Sequence, residues 1–102
     1  MPAKPNVQRV KVSQGVTQGL LVHKVEPQYP PIAKTARVQG TVVLHALIAK
    51  DGKIENLQAV SGSPLLTAAA INAVKQWRYK PYILNGQPVE VETTVTVNFH
   101  LS

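Results

Sequence analysis

The stretch TVVLHALIAKDGKIENLQAVS, residues 41–61, predicts a β-hairpin. Four apolar residues of its first half share one face of an extended strand: Val42, Leu44, Ala46 and Ile48. The run Lys-Asp-Gly-Lys at residues 50–53 supplies the turn between the two strands. On the return strand Ile54 and Leu57 are three positions apart, whereas Leu57 and Ala59 are two apart. All three side chains can share one face of the strand only if it contains one extra residue. We therefore expect a bulge near Glu55 and Asn56.

The residues after this hairpin predict a helix that packs on the sheet. Ser63 suits the N-cap position and Pro64 the first helical position. Apolar residues then recur at helical spacing: Leu66, Ala70, Val74 and Trp77. The run WRYKP at residues 77–81 ends the helix, because the residue before a proline disfavours the helical conformation. Since Trp77 continues the apolar stripe, we interpret it as a core residue rather than as a binding platform.

The C-terminal stretch EVETTVTVNFHLS, residues 90–102, predicts a long strand with two different faces. One face carries Val91, Thr93, Val95, Val97, Phe99 and Leu101, and the other carries Glu92, Thr94, Thr96, Asn98 and His100. The stretch contains no lysine, glycine or proline, the residues that commonly protect an exposed strand edge. Because antiparallel neighbours are the commoner arrangement, we place this strand beside residues 41–49. The hairpin strand is then central, and the C-terminal strand is an edge of the sheet.

The N-terminal part of the chain is less regular. Residues 31–40, PIAKTARVQG, predict a short helix with Pro31 in its first turn and Gly40 just after its end. Residues 7–25 predict a β-hairpin extension with a long loop, and residues 1–6 a disordered tail. The predicted fold class is α+β: an antiparallel sheet of about three strands, two helices on one face, and the N-terminal β-hairpin. We expect residues 26–102 to form the compact domain.

The composition limits the classes of protein to which the chain can belong. It has 102 residues, a net charge of +6 and no cysteine, which excludes disulfides and thiolate chemistry. Its basic residues are spread out, without a run and without interleaved aromatic residues, which argues against nucleic-acid binding. No apolar stretch approaches the ~20 residues of a membrane span, and the start lacks an apolar signal-peptide region. The opening MPAKPNVQRVK is typical of a piece cut from a longer protein.

The histidine and acidic residues suggest no reaction chemistry. We expect His45 and His100 to be neighbours across two strands, on the sheet face away from the helices. Two imidazoles without a third ligand make a poor zinc site, so we predict no metal. Glu90 and Glu92 lie on one strand face and form a solvated pair rather than an acid–base pair. Because catalytic and nucleotide-binding motifs are also missing, we predict neither an enzyme nor a cofactor.

The open edge strand is the feature that remains. Free backbone N–H and C=O groups along an edge can accept an extended peptide by strand addition. Each main-chain hydrogen bond gained in this way contributes about 0.5–1.5 kcal/mol net. Such binding is mostly backbone-driven and needs no unusual side chains, so the sequence predicts an interaction module. Tyr29, which joins no apolar stripe, is either a contact residue or a structural one.

Several short motifs, taken in their order and spacing, are similar to one known family. They are the Tyr-Pro pair at Tyr29, the Gly-Thr-Val opening of the hairpin at Gly40, its Asp-Gly turn, the run SGSP at residues 61–64, and A-x-x-x-W-R-Y-x-P from Ala73. From about residue 26 to residue 99 the chain resembles the C-terminal domain of TonB, the energy transducer.

The resemblance implies a periplasmic domain that an inner-membrane anchor and a proline-rich spacer would carry, both outside this chain. It also implies that the domain binds the TonB box, an extended segment of outer-membrane transporters, by strand addition. Motor proteins of the inner membrane, reached through the missing N-terminal region, would then drive uptake of scarce solutes such as siderophores or cobalamin. The implied partner-binding residues are Glu26, Gln28, Tyr29, Val91, Glu92, Thr93, Thr94, Val95, Thr96, Val97, Asn98 and Phe99. Glu26 stands where glutamine is common in the family.

Two other uses of such a domain are open. It could be a structural or sensory module whose edge strand is already occupied, for instance in a homodimer. It could also bind peptidoglycan, anionic lipid or nucleic acid by charge alone, and such binding would weaken steeply with salt. The N-terminal hairpin at residues 7–25 could itself pair with the C-terminal edge and compete with a guest peptide.

Overall fold

The computed structural model describes residues 9–101 and has the α+β fold that the sequence predicts. In chain order its elements are β1 (Arg9–Lys11), α1 (Gln14–Gln18), β2 (Leu21–His23), α2 (Pro31–Thr35), β3 (Gly40–Ile48), β4 (Ile54–Ser61), α3 (Pro64–Val74), β5 (Arg78–Tyr79), β6 (Tyr82–Leu84) and β7 (Gln87–Phe99). The predicted helix start is confirmed, because Ser63 Oγ accepts a hydrogen bond from the N–H of Leu65. The predictions for residues 1–8 lie outside the described residues.

The main sheet has five strands, and β3 lies near its centre between β4 and β7. β3 is antiparallel to both neighbours, as predicted for the hairpin and for the C-terminal strand. The predicted bulge is confirmed, because Asn56 pairs with Leu47 and Ile54 pairs with Ile48, which leaves Glu55 as the extra residue. β1 and β6 extend the sheet beyond the three strands that the sequence predicts.

The core lies between this sheet and the helices. Its buried side chains include the predicted faces of three elements: Val42, Leu44, Ala46 and Ile48 of β3, Val91, Val95, Val97 and Phe99 of β7, and Leu66, Ala70 and Val74 of α3. Trp77 is also buried, and its indole Nε1–H donates to the carbonyl oxygen of Val25 over 2.9 Å. The interpretation of Trp77 as a core residue is therefore confirmed.

The predicted N-terminal hairpin is wrong for the residues that the structure describes. β1 pairs in parallel with β7, with Val10 opposite Val91, whereas β2 pairs antiparallel with β5 in a separate two-stranded sheet. The intervening residues form α1, which Ser13 caps by accepting the N–H of Val16. Each of the two strands therefore takes a partner that is distant in sequence.

The first predicted helix ends earlier than expected. α2 stops at Thr35, and Arg37 rather than Gly40 takes the left-handed conformation, with φ of 56°. The N–H of Val38 donates to Ala33 O over 2.8 Å, and the N–H of Arg37 donates to Lys34 O. These two bonds satisfy the last carbonyl groups of the helix in a Schellman arrangement. Gly40 instead begins β3.

Candidate functional site

β7 is a thirteen-residue strand, and the side that faces β3 is here called its inner side. It pairs with β3 over nine residues, from Val91 opposite Ile48 to Phe99 opposite Gly40. The predicted partner-binding residues divide by face: the side chains of Val91, Thr93, Val95, Val97 and Phe99 are buried, and those of Glu92, Thr94, Thr96 and Asn98 are half-buried or exposed. A guest on this strand can therefore reach the main chain and the second group of side chains.

The outer side of β7 is only partly covered. β1 pairs with residues 90–92 on this side. The N–H of Val12 donates to Glu92 O over 2.9 Å, so the carbonyl group of Glu92 points outward. Because main-chain direction alternates along a strand, the N–H and C=O groups of Thr94, Thr96 and Asn98 point to the same side. No strand formed by residues 9–101 pairs with them.

Helix α1 lies against this outer side through side chains. Thr17 Oγ1 and Thr93 Oγ1 form a buried hydrogen bond of 3.2 Å, and Thr96 Oγ1 donates to Gln14 Oε1 over 3.0 Å. A cleft of about 130 Å³ lies beside the strand at this point. Ten residues line it: Gln14, Thr17, Gln18, Leu21, Lys24, Trp77, Tyr79, Thr94, Val95 and Thr96. Burial in this region raises the pKa of Tyr79 to about 12, because the phenolate would lose solvation.

A second cleft, of about 170 Å³, continues along the same edge. Residues 96–98 form one side of it, and Lys24, Glu26, Pro27 and Trp77 form the other. Lys24 Nζ lies 5.7 Å from the centroid of the Trp77 ring and 3.8 Å from Glu26 Oε1. The structure thus brings Glu26, one of the predicted partner-binding residues, to the open part of β7.

The other two predicted residues of this segment do not line the edge clefts. Gln28 and Tyr29 line a larger cleft of about 590 Å³ against α3, and Glu26 lines that cleft as well. The hydroxyl of Tyr29 donates to the carbonyl oxygen of Val38, and its ring meets the Phe99 ring edge-on, with centroids 5.5 Å apart. Tyr29 therefore anchors the segment before α2 to the end of β7, and its predicted contact with a partner stays a prediction.

Arg9 and His45 lie close to the two glutamates of the polar sheet face. Arg9 lies 3.3 Å from a carboxylate oxygen of Glu90 and 3.6 Å from one of Glu92, and His45 Nε2 lies 4.0 Å from Glu92. The expectation that His45 and His100 are neighbours is wrong. His45 lies opposite Thr94, whereas His100 follows the far end of β7. Among residues 9–101 no three side chains that bind metals form a cluster.

Sequence reasoning missed the residues that surround the open edge. Gln14, Thr17 and Lys24 fall in a segment that the sequence predicts as hairpin and loop, and no local motif distinguishes them. Trp77 is found by its helical spacing, but that spacing predicts a core role alone. Its position between the core and both edge clefts depends on how the segment before α2 packs on the sheet.

Comparison with known proteins identifies the class of domain. The family model described as Gram-negative bacterial TonB protein C-terminal matches residues 25–101. The TonB protein of Vibrio cholerae is 34% identical over 110 aligned positions, which cover 98% of this chain and 45% of that protein. The TonB protein of Xanthomonas campestris is 35% identical over 78 positions, covering 74% of this chain and 35% of that protein. The chain therefore spans less than half the length of these relatives.

A solved structure agrees with this match. The solution NMR structure of the Pseudomonas aeruginosa TonB CTD aligns with a TM-score of 0.67 at 24% identity. The alignment covers 79% of this chain and 84% of that one, and it supports the fold. Within residues 9–101, none of the helices has the length and apolar character needed to cross a membrane.

Proposed function

The chain belongs to the family of Gram-negative bacterial TonB C-terminal domains, and we propose that it is the transporter-binding module of a TonB-type energy transducer. Its guest is the TonB box of outer-membrane transporters, which adds as a strand to the outer side of β7. The observation that carries this proposal is the outward main chain of Thr94, Thr96 and Asn98, which no strand formed by residues 9–101 covers.

The hydrogen bonds available at this edge are suited to reversible binding of a peptide. Three outward residues offer six hydrogen-bonding groups, each worth about 0.5–1.5 kcal/mol net. Ordering the peptide offsets part of that gain, so moderate affinity is expected. Nine residue pairs hold β7 to β3 on its other side, so a pull on the guest is transferred to the whole sheet.

The remaining roles belong to the same proposal. Glu26 meets the guest in the cleft beside residues 96–98, while Gln28 and Tyr29 offer contacts in the larger cleft against α3. In the full-length protein the domain works in the periplasm, and an N-terminal anchor connects it to motor proteins of the inner membrane. These motor proteins supply the proton motive force for uptake, and the domain itself catalyses no reaction.

The direct test is titration of the ¹⁵N-labelled chain with a synthetic TonB-box peptide. We expect the largest amide shifts at Thr94, Thr96 and Asn98, with smaller shifts at Glu26. A scrambled peptide of the same composition is the control, because charge attraction alone would treat both peptides equally. Shifts that spread evenly over the basic surface, or that vanish at moderate salt, would favour electrostatic binding instead.

A homodimer is the second candidate function, since the outward groups of residues 94–98 could pair with the same groups of another copy. Sedimentation over a range of concentrations tests it. If the dimer uses this edge, added TonB-box peptide should shift the chain toward the monomer. A dimer that the peptide does not dissociate must use another surface.

A further inference from the structure

We infer that residues 9–18, here called the N-terminal strap, occupy part of the site of the guest and must leave β7 for full binding. The strap consists of β1, the link through Val12 and Ser13, and α1. This inference rests on the proposed function, because the guest it competes with is the TonB-box peptide. It adds a form of regulation to the site, because a segment of the chain itself competes with the guest for the outer side of β7.

The first observation is that β1 is already an added strand. It runs parallel to β7, and the bond from Val12 N–H to Glu92 O continues its ladder. Val10 and Val12 pack against the core, while Arg9 reaches Glu90 and Glu92 on the opposite face. An extended segment with alternating side chains thus uses the outer side of β7 as a guest strand would.

The second observation is the length of free edge. With the strap in place, three residues beyond Glu92 turn their main chain outward. Removal of β1 adds the outward groups of Glu90 and Glu92, which makes five residues in all. Departure of α1 also frees the hydroxyl groups of Thr93 and Thr96 from Thr17 and Gln14. A guest that displaces the strap therefore gains a longer ladder.

The third observation is that few main-chain pairs and only exposed ion pairs hold β1. β1 pairs over three residues, against nine between β3 and β7. The side chain of Arg9 is 44% exposed, so its ion pairs contribute little. The α1 surface leaves Val16 half exposed.

The chain beyond the strap is anchored separately. Lys80 N–H donates to Leu20 O over 2.7 Å, Leu21 pairs with Tyr79 in the small sheet, and Trp77 holds the carbonyl group of Val25. Gly19, between these anchors and α1, has no side chain to restrict a change of direction. The strap can therefore leave without unfolding β2 or the core.

The consequence is a predictable loss of apparent affinity. When only a fraction of the molecules have the strap open, the apparent dissociation constant rises by the inverse of that fraction. An open fraction of about one tenth, for example, weakens binding about tenfold. Variants that open or lock the strap should therefore change affinity in opposite directions.

The locking test uses the absence of cysteine in the wild-type chain. Lys11 and Glu92 are partners in the register of β1 and β7, so the double variant Lys11→Cys/Glu92→Cys can form a disulfide across the two strands. We expect the oxidised form to bind TonB-box peptide at least about tenfold more weakly than the same variant after reduction. Equal affinities of the two forms overturn the inference. The reduced form is the matched control, because it carries the same substitutions.

The opening test introduces charge repulsion between β1 and β7. Arg9→Glu places a third carboxylate beside Glu90 and Glu92, so it should release β1 and strengthen peptide binding several-fold, up to about tenfold. Lys50→Glu in the β3–β4 turn makes the same change in net charge at a distance and should leave the affinity unchanged. If Arg9→Glu binds no more tightly than Lys50→Glu, the inference is overturned.

The two tests distinguish this inference from the proposed function. Peptide binding that is equal in the oxidised, reduced and charge-reversed variants leaves strand addition intact and rejects the competing strap. Peptide that binds none of the variants rejects the proposed function, and the inference fails with it. Near-ultraviolet and far-ultraviolet circular dichroism of each variant confirms that the core has folded before affinities are compared.

Discussion

Gly52 and Tyr79 are in direct main-chain contact, although 27 positions separate them. The N–H of Tyr79 donates to Gly52 O over 2.9 Å, and a Cβ at position 52 would stand 1.8 Å from Tyr79 O. Gly52 also has a φ of 90°, a conformation that favours glycine. The turn of the β3–β4 hairpin is therefore fastened to β5, next to the buried Trp77.

This contact predicts a large loss of stability for Gly52→Ala. The new methyl group would push the turn away from β5, and the positive φ adds backbone strain, so we expect about 3 kcal/mol or more. Urea unfolding measures the difference. Gly15→Ala is the matched control, because a Cβ there meets nothing within 4 Å and alanine favours helix α1. A Gly52→Ala variant as stable as Gly15→Ala would show that the turn is free to move.

The outward main chain of Thr96 predicts a specific effect on peptide binding. Thr96→Pro removes one outward N–H and should weaken the affinity for TonB-box peptide at least about tenfold. Thr96→Ala keeps that N–H but loses the hydrogen bond to Gln14, which belongs to the strap, so it should bind as well as the wild type or better. Isothermal titration calorimetry compares the two. Similar losses in both variants would mean that the side chain, not the main chain, meets the guest.

Tyr79 predicts an alkaline loss of stability. Its pKa in the folded chain is raised to about 12 by burial, against 10.0 for an exposed tyrosine. Between these values the unfolded chain loses the phenol proton while the folded chain keeps it, so the stabilisation is full below pH 10 and is lost as the pH rises toward 12. The loss is on the order of 2 kcal/mol. Tyr79→Phe keeps the buried ring without the titration, so its free energy of unfolding should fall less than that of the wild type between pH 9 and 12.

Arg37 predicts a gain in stability. Its φ of 56° is strained for a residue with a Cβ, and glycine is the preferred residue after a helix end of this type. Arg37→Gly should therefore raise the free energy of unfolding by about 0.5–1 kcal/mol. Lys34→Gly, three positions earlier inside α2, should lower it by about 1 kcal/mol. If both glycines destabilise the chain equally, the left-handed turn is not populated in solution.

The elements that sequence could predict are those with a local signal. The alternation of residues 90–99 predicts both the strand and its buried face, and the Ser63-Pro64 pair predicts the start of α3. The spacing change at Leu57 places the bulge near the start of β4, whereas a second irregularity, opposite Val43 and Leu44, was not predicted. Each of these features depends on neighbours a few positions away, where hydrogen bonding and side-chain direction follow from the periodicity.

The pairing partners of the N-terminal strands could not be predicted from the sequence. Residues 9–11 and 21–23 carry strand-like alternation, but periodicity does not say whether they pair with each other or with distant strands. Arg9 pairs with Glu90, 81 positions away, and Leu21 pairs with Tyr79. The same holds for the predicted site. The sequence indicated that β7 is an edge strand, but it did not indicate that α1 lies against that edge.

The sequence by itself therefore determined the α+β class, the central hairpin, the buried face of β7 and the resemblance to its family. The first three follow from short-range periodicity, capping and turn residues, and the resemblance follows from short motifs in their order and spacing. The tertiary structure alone decided how much of β7 stays open, because coverage depends on which distant segments reach the outer side. β1 pairs with residues 90–92, and α1 forms hydrogen bonds with the hydroxyl groups of Thr93 and Thr96. The outward main chain of Thr94, Thr96 and Asn98 is left without a partner strand among residues 9–101.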